Sequence, residues 1–203
     1  MTKNININNN GHNFVNLELP SGTLWATANV GASEPADFGL YFQWGDTNGY
    51  TSNQVGESKG KKYFGWDSYK WDINNGKYAT NGAALKPEDD AAHVHMGGDW
   101  HIPTPKQIDE LIENTTSKWI KQNGIKGRLF TSKKDSSKSL FIPAAGYLDF
   151  GYFEAKNRGC LLWSSKVISS LTCAAKTLDL GRDYAIQGTY YRSAGLSVRG
   201  VIG

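Results

Sequence analysis

A loop-rich fold of the α+β class is what this sequence predicts, and three observations carry the expectation. The 203 residues include 23 glycines beside seven tryptophans and ten tyrosines. Glycine is costly inside helices, whereas aromatic rings suit a pleated, half-buried surface. The apolar runs are short and bounded by Gly, Pro, Asn or Ser, as in a chain of short strands. Only two stretches carry the chemistry of a helix start. Apolar and aromatic residues are spread along the whole length, so one domain is expected over 1–203, with a polar, flexible segment at 1–13.

In chain order, Val15-Asn16-Leu17-Glu18-Leu19 alternates apolar and polar residues and meets Pro20-Ser21-Gly22, the pattern of a strand ending in a turn. Leu24 to Val30 can return as a second strand. A turn at residues 33–38 leads into a third strand candidate, Leu40-Tyr41-Phe42-Gln43-Trp44. The polar residues 47–62 read as a long surface loop. Pro87, Glu88, Asp89 and Asp90 place a proline and three carboxylates where a helix start favours them, and Gly97-Gly98 supplies the stop. Thr104-Pro105-Lys106-Gln107 is a capping box with proline at the first helical position; Ile108, Leu111 and Ile112 then form one stripe, predicting a helix to about Asn114. Beyond it, Leu129-Phe130-Thr131 and Leu140-Phe141-Ile142 flank a polar loop as a hairpin. Leu161-Leu162-Trp163 reads as a core strand, and Leu178-Asp179-Leu180 and Leu196 to Val201 as half-buried strands.

Charge and termini limit the function classes. A net charge of +3 is small and dispersed, and the basic runs at 59–62 and 133–138 are diluted by Gly, Ser and Asp, so no nucleic-acid partner is expected. No segment is long and apolar enough to insert in a membrane. Residues 1–10 are polar and asparagine-rich, unlike a secretion signal. The expected location is a virion, in a tail-associated position, or the cell surface with any leader removed; a cytoplasmic location also fits. Cys160 and Cys173 read either as a disulfide or as two buried thiols.

Several distinctive phrases stand in order along the chain: Leu19-Pro20-Ser21-Gly22-Thr23-Leu24-Trp25-Ala26-Thr27, Asn29-Val30-Gly31-Ala32, Tyr41-Phe42-Gln43-Trp44-Gly45 and Asp89-Asp90-Ala91-Ala92-His93. They continue with Gly97-Gly98-Asp99-Trp100-His101-Ile102-Pro103-Thr104, Phe141-Ile142-Pro143-Ala144-Ala145-Gly146-Tyr147, Trp163-Ser164-Ser165 and Gly195-Leu196-Ser197-Val198-Arg199. In these the chain resembles the Fibrobacter succinogenes major paralogous domain family of gut Bacteroidota and their phages. The resemblance implies a C-type-lectin-like fold, shared with formylglycine-generating-enzyme-like domains, of two helices, short antiparallel strands and long irregular loops. Some members look like the variable proteins of diversity-generating retroelements, in which a fixed scaffold carries diversified ligand-contacting residues near the C-terminus.

Laid on this sequence, that resemblance makes Leu178, Leu180, Ile186 and Leu196 apolar anchors. The ligand-binding positions between them are Lys176, Thr177, Asp179, Arg182, Asp183, Tyr184, Ala185, Gln187, Thr189, Tyr190, Tyr191, Ser193 and Ala194. Independently of any family, Tyr184, Tyr190 and Tyr191 with Arg182 and Arg192 are the residue types of binding hot spots, offering large area, few rotatable bonds and a polar tip. The expected partner is a protein or glycan receptor on a cell surface; the alternatives are a cell-surface or pilus-tip adhesion module and a degenerate formylglycine-generating-type enzyme. The sequence specifies no oligomeric state.

Catalytic and metal chemistry find little support. His93 and His95 lie two apart, so a helix turns them to different faces, and with His101, Asp89, Asp90 and Asp99 they are expected to be surface or capping residues with no metal. Glu34-Pro35-Ala36 lacks the third ligand of a calcium-dependent sugar site. No Gly-x-Ser-x-Gly, P-loop or dinucleotide fingerprint occurs, so no cofactor and no enzyme activity are expected. Trp25, Trp44, Trp100 and Trp163 sit in the scaffold phrases and read as core; Trp66, Trp71 and Trp119 are freer, with at least one expected at the surface.

Overall fold

The computed structural model describes residues 7–203 except Ile73 and Asn81, so the start of the expected polar segment, residues 1–6, lies outside the described residues. In chain order the elements are β1 (Ile7–Asn9), β2 (His12–Asn16), β3 (Leu24–Ala26), β4 (Tyr41–Phe42), α1 (Ala91–Met96), α2 (Pro105–Asn114), β5 (Thr115–Gln122), β6 (Ile125–Ser132), β7 (Ser139–Pro143), β8 (Tyr147–Asp149), β9 (Tyr152–Glu154), β10 (Gly159–Ile168), β11 (Leu171–Gly181), β12 (Ala185–Tyr191), β13 (Leu196–Ser197) and β14 (Val201–Ile202). This is an α+β arrangement, mostly sheet with two α-helices.

Four sheets result. Strands β1-β2-β3-β14 form one antiparallel sheet that joins both ends of the described chain, with Val201 opposite Trp25. The second has the order β12-β11-β10-β13-β4, in which only β10 and β13 run parallel. Strands β5-β6-β7 form a meander and β8-β9 a separate hairpin. No helix among the described residues is long and apolar enough to cross a membrane.

Several expectations shift in detail. Residues 7–13, expected to be flexible, are ordered as most of the β1–β2 hairpin, turning at Asn10 and Gly11, whose φ angles of 51° and 84° favour Asn-Gly. The strand expected over Val15–Leu19 is the end of β2 and stops at Asn16, because Glu18 turns left-handed, φ 54°, ahead of the expected turn, where the Gly22 amide donates to the Leu19 carbonyl. Pro87 opens a 3-10 turn, Pro87–Asp89, and α1 begins only after it. There Asp90 accepts from the amides of Ala92, His93 and, across the chain, Ile102. Helix α2 has its expected bounds and its capping box between Thr104 and Gln107. Strand β5 went unanticipated: it pairs with β6 around Asn123-Gly124, with φ 49° and 84°.

Two packed clusters fill the interior. One gathers Trp25, Ile108, Leu111, Phe130, Leu162, Leu178 and Leu180; the other gathers Trp44, Trp100, Trp163, Leu196 and Val198. Trp44, just past β4, and Trp163 of β10 link these strands across the intervening β13, their indole N–H groups donating to the carbonyls of Ser164 and Phe42 at 2.8 and 2.7 Å. Arg199 is fully buried, yet its guanidinium is satisfied by Asn29 Oδ1 and the carbonyls of Ala26 and Phe141. Burial pulls its ionisation down to about 9.

The cysteines do not pair. Cys160 lies opposite Leu180 on the β10–β11 ladder and Cys173 sits seven positions earlier on β11, about 23 Å away at the rise of a strand. Both are free thiols, and burial pushes Cys160 up to about 12.

Candidate functional site

The expected C-terminal positions do not form one surface. Strand β12 is an edge of the five-stranded sheet and its side chains alternate. Gln187 turns towards α2, where its amide donates to the Pro105 carbonyl and to Asp109 Oδ1. Ala185, on the same face, packs against the core. Ile186, Gly188 and Tyr190 take the other face. Ile186 is therefore no anchor: it is 51% exposed. The remaining anchors, Leu178, Leu180 and Leu196, are buried.

Among the expected contact residues, Thr177, Ser193 and Ala194 are buried, as is Arg192. Thr177 lies on a central strand and donates to Asp179 Oδ1; Ser193 and Ala194 follow the end of β12, where the chain turns inward to β13. Asp179 is half-buried beneath β12, so close that a Cβ on Gly188 would meet its carboxylate at 2.0 Å, and burial raises its pKa. Lys176 is half-buried. Arg182, Asp183, Tyr184, Thr189 and Tyr191 are exposed and Tyr190 is half-buried. Tyr184 belongs with Arg182 at the β11–β12 turn, its ring over Gly181, while Tyr190 and Tyr191 lie at the strand's far end. The expected cluster of three tyrosines and two arginines is thus divided.

What assembles at that far end is an aromatic platform from three separate segments. Tyr191, 46% exposed, stands edge-on to Trp66 with ring centroids 6.2 Å apart. Tyr190 approaches Tyr191 at 6.1 Å and Tyr147 of β8 at 4.9 Å. The Tyr190 hydroxyl donates to Asp149 Oδ2 at 2.9 Å, while Asp149 Oδ1 is buried without a protein partner. Burial first, then hydrogen bonds with Tyr147 and Asp149, pushes the Tyr190 phenol far above its ordinary pKa. The β8–β9 hairpin extends the surface with Phe150 and Tyr152, both about half exposed. Behind its turn, Gly151 lies close to Glu57 and Tyr63 of the long loop.

The platform is held from behind. Gln43, buried after β4, donates to the carbonyls of Gly65 and Ser193, tying the segments that carry Trp66 and Tyr191 to one amide. Arg192 turns inward between Trp44 and Tyr69, its guanidinium 5.5 and 5.3 Å from their ring centroids, and donates to the Tyr78 carbonyl. Trp66 was legible only as a tryptophan outside the scaffold phrases. Tyr147 and Asp149 carried no signal, because the β8 hairpin that brings them to Tyr190 docks through a bridge between Leu148 and Gly195.

Four of the six histidines and carboxylates considered for a metal make contacts within the fold through their side chains. Asp90 caps α1, Asp89 accepts from the Tyr78 hydroxyl and pairs with Lys70 and Lys77, His95 Nε2 meets the Thr47 carbonyl, and His101 Nδ1 meets the Asp99 carbonyl. No group of three or more metal-ligating side chains converges among the described residues. Compared with family models, curated proteins and solved structures, the chain has no match.

Proposed function

We propose that this protein is a ligand-binding display domain of C-type-lectin-like fold, of the variable-protein type, which recognises a protein or glycan receptor on a cell surface through its aromatic platform. The observation that carries the reading is the convergence of Trp66, Tyr147, Tyr190 and Tyr191 from three segments around the end of β12, Tyr191 exposed and the other three half-buried, fixed from behind by Gln43 and Arg192. Rigid aromatics with polar tips lose little rotamer freedom on binding and dominate interface energetics. The resemblance in the scaffold phrases supports the same reading, since it expects the contact residues on the C-terminal strand. A degenerate formylglycine-generating-type oxidase draws no support from the two cysteines, which sit too far apart to act as a pair.

The test is binding to whole cells and surface extracts of gut Bacteroidota by wild type and by a Trp66→Ala/Tyr191→Ala double variant, with equal thermal stability verified. Truncating a central anchor of this kind costs about 2 kcal/mol, roughly 30-fold in affinity. Unchanged binding by the double variant eliminates the platform as the receptor site. Diversification is tested in the neighbouring DNA, where a reverse transcriptase and an adenine-differing copy of the C-terminal coding segment are expected.

A further inference from the structure

At the opposite end of the β11–β12 hairpin lies a cleft of about 700 Å³ lined by Trp119, Lys126, Asn157, Arg158, Arg182 and Asp183. Its volume falls within the roughly 300–1,000 Å³ common to small-molecule sites. Three independent segments build it. Trp119 and Lys126 come from the β5–β6 hairpin, Asn157 and Arg158 from the turn before β10, and Arg182 and Asp183 from the β11–β12 turn.

These groups are placed and left available. Arg128, directly opposite Trp119 on the ladder, is buried. It donates to the carbonyls of Gly181 and Arg182 and, through Nε, to Ser117 Oγ, fixing the β11–β12 turn against the β5–β6 hairpin. Asp183 lines the cleft as well, and its charge favours the charged form of Arg128 against the effect of burial. Arg158 projects from a tight turn in which Ala155 and Asn157 are left-handed, φ 53° and 63°. That turn is locked by the Arg158 and Gly159 amides donating to the Ala155 carbonyl and the Asn157 amide donating to the Ala144 carbonyl. No ion pair among the described residues engages Lys126, Arg158 or Arg182. Three cations without an ion-pair partner among the described residues therefore line one cleft together with the Trp119 indole and the Asp183 carboxylate.

We propose that this cleft binds an anionic sugar, its pyranose ring against Trp119 and its carboxylate or sulfate held by Arg158, Arg182 and Lys126. Guanidinium groups match planar or tetrahedral oxyanions with paired N–H donors, and the Asn157 amide suits a ring hydroxyl. Three cations around a compact cleft are too few to track a phosphate backbone, which favours a small anionic ligand over nucleic acid. The site is separate from the aromatic platform, so either can fail without the other.

The experiment is calorimetric titration of the full chain, at low salt, with glucuronate, N-acetylneuraminate and a sulfated disaccharide, and with glucose as the neutral control. Each is repeated with Trp119→Ala and with an Arg158→Gln/Arg182→Gln double variant; both arginines are exposed, so the double variant retains the fold even should Trp119→Ala not. Saturable binding of at least one anionic sugar is expected, with none for glucose and a loss of about tenfold or more in the arginine variant, the factor for one lost charge-assisted contact. Binding confined to the first two sugars assigns a carboxylate, and binding confined to the third assigns a sulfate. Absent binding, an equal response to glucose, or unchanged affinity in the arginine variant overturns the proposal, as does tighter binding of a short single-stranded oligonucleotide.

Discussion

Replacing Tyr190 by Phe keeps the ring beside Tyr147 and Tyr191 but deletes the hydroxyl that donates to Asp149 at 2.9 Å. The other carboxylate oxygen of Asp149 already lacks a protein partner, so the variant leaves a half-buried charge with neither donor. A hydrogen bond to a charged group contributes about 1.5–3 kcal/mol when buried. Both residues here are only half-buried, which sets the expectation at the low end, about 1.5 kcal/mol. For a chain of this length that lowers the Tm by about 3–6 °C.

Urea denaturation of wild type, Tyr190→Phe, Asp149→Ala and the double variant closes a thermodynamic cycle whose expected coupling is about 1.5 kcal/mol. Alkaline pH gives a second reading. The native phenol titrates above the ordinary value of 10.0, raised first by burial. The native state therefore holds more protons than the unfolded state once pH exceeds 10, and wild-type stability falls as pH rises. The variant lacks this term, so the gap between the two narrows above pH 10. Single-variant losses that add within about 0.3 kcal/mol would refute the coupling, and with it the argument that Asp149 holds Tyr190 in place.

Two further outcomes follow from the same scaffold. Asp179→Asn keeps an acceptor for the Thr177 hydroxyl and removes a carboxylate whose native pKa burial raises above 3.8; wild type therefore loses stability as pH rises through that range. Thermal melts should find the two proteins alike near pH 3 and the variant more stable near pH 7; a less stable variant at pH 7 contradicts the assignment. Gly124→Ala places a side chain at φ 84° in the β5–β6 turn and should cost about 1–2 kcal/mol in urea denaturation, whereas a neutral result would mean the turn rearranges.

The sequence was most legible where local chemistry and tertiary packing agree. Thr104, Pro105 and Gln107 specify α2 by themselves, and the apolar triplets of β6, β7, β10 and β11 are buried on at least one face. Strand lengths were misjudged where tertiary context intervenes. The run from Leu24 to Val30 is mostly apolar, but only Leu24–Ala26 pairs, because beyond it Asn29 accepts from Arg199 and the Val30 amide donates to the Val198 carbonyl. Strand β5 was missed because Thr115–Gln122 is largely polar, with Trp119 and Ile120 adjacent and not alternating. The Asn123-Gly124 pair was the signal that should have identified it.

The proposed binding surface was less legible, and the reason lies in strand geometry. A list of positions between anchors treats the strand as if all its intervening residues faced outward, but a strand presents alternate residues to opposite faces. Gln187 faces α2 while Ile186 faces solvent, the reverse of the expected assignment. Tyr191 and Arg192 are adjacent and of equal interest to a reading based on residue type, yet one is half exposed and the other fully buried. The buried arginine still belongs to the site's architecture. Its guanidinium between Trp44 and Tyr69, with Gln43 bonded to Ser193, fixes the backbone just past Tyr191. The exposed Tyr191 side chain can then change without altering the contacts of Arg192 and Gln43, which hold the backbone beside it.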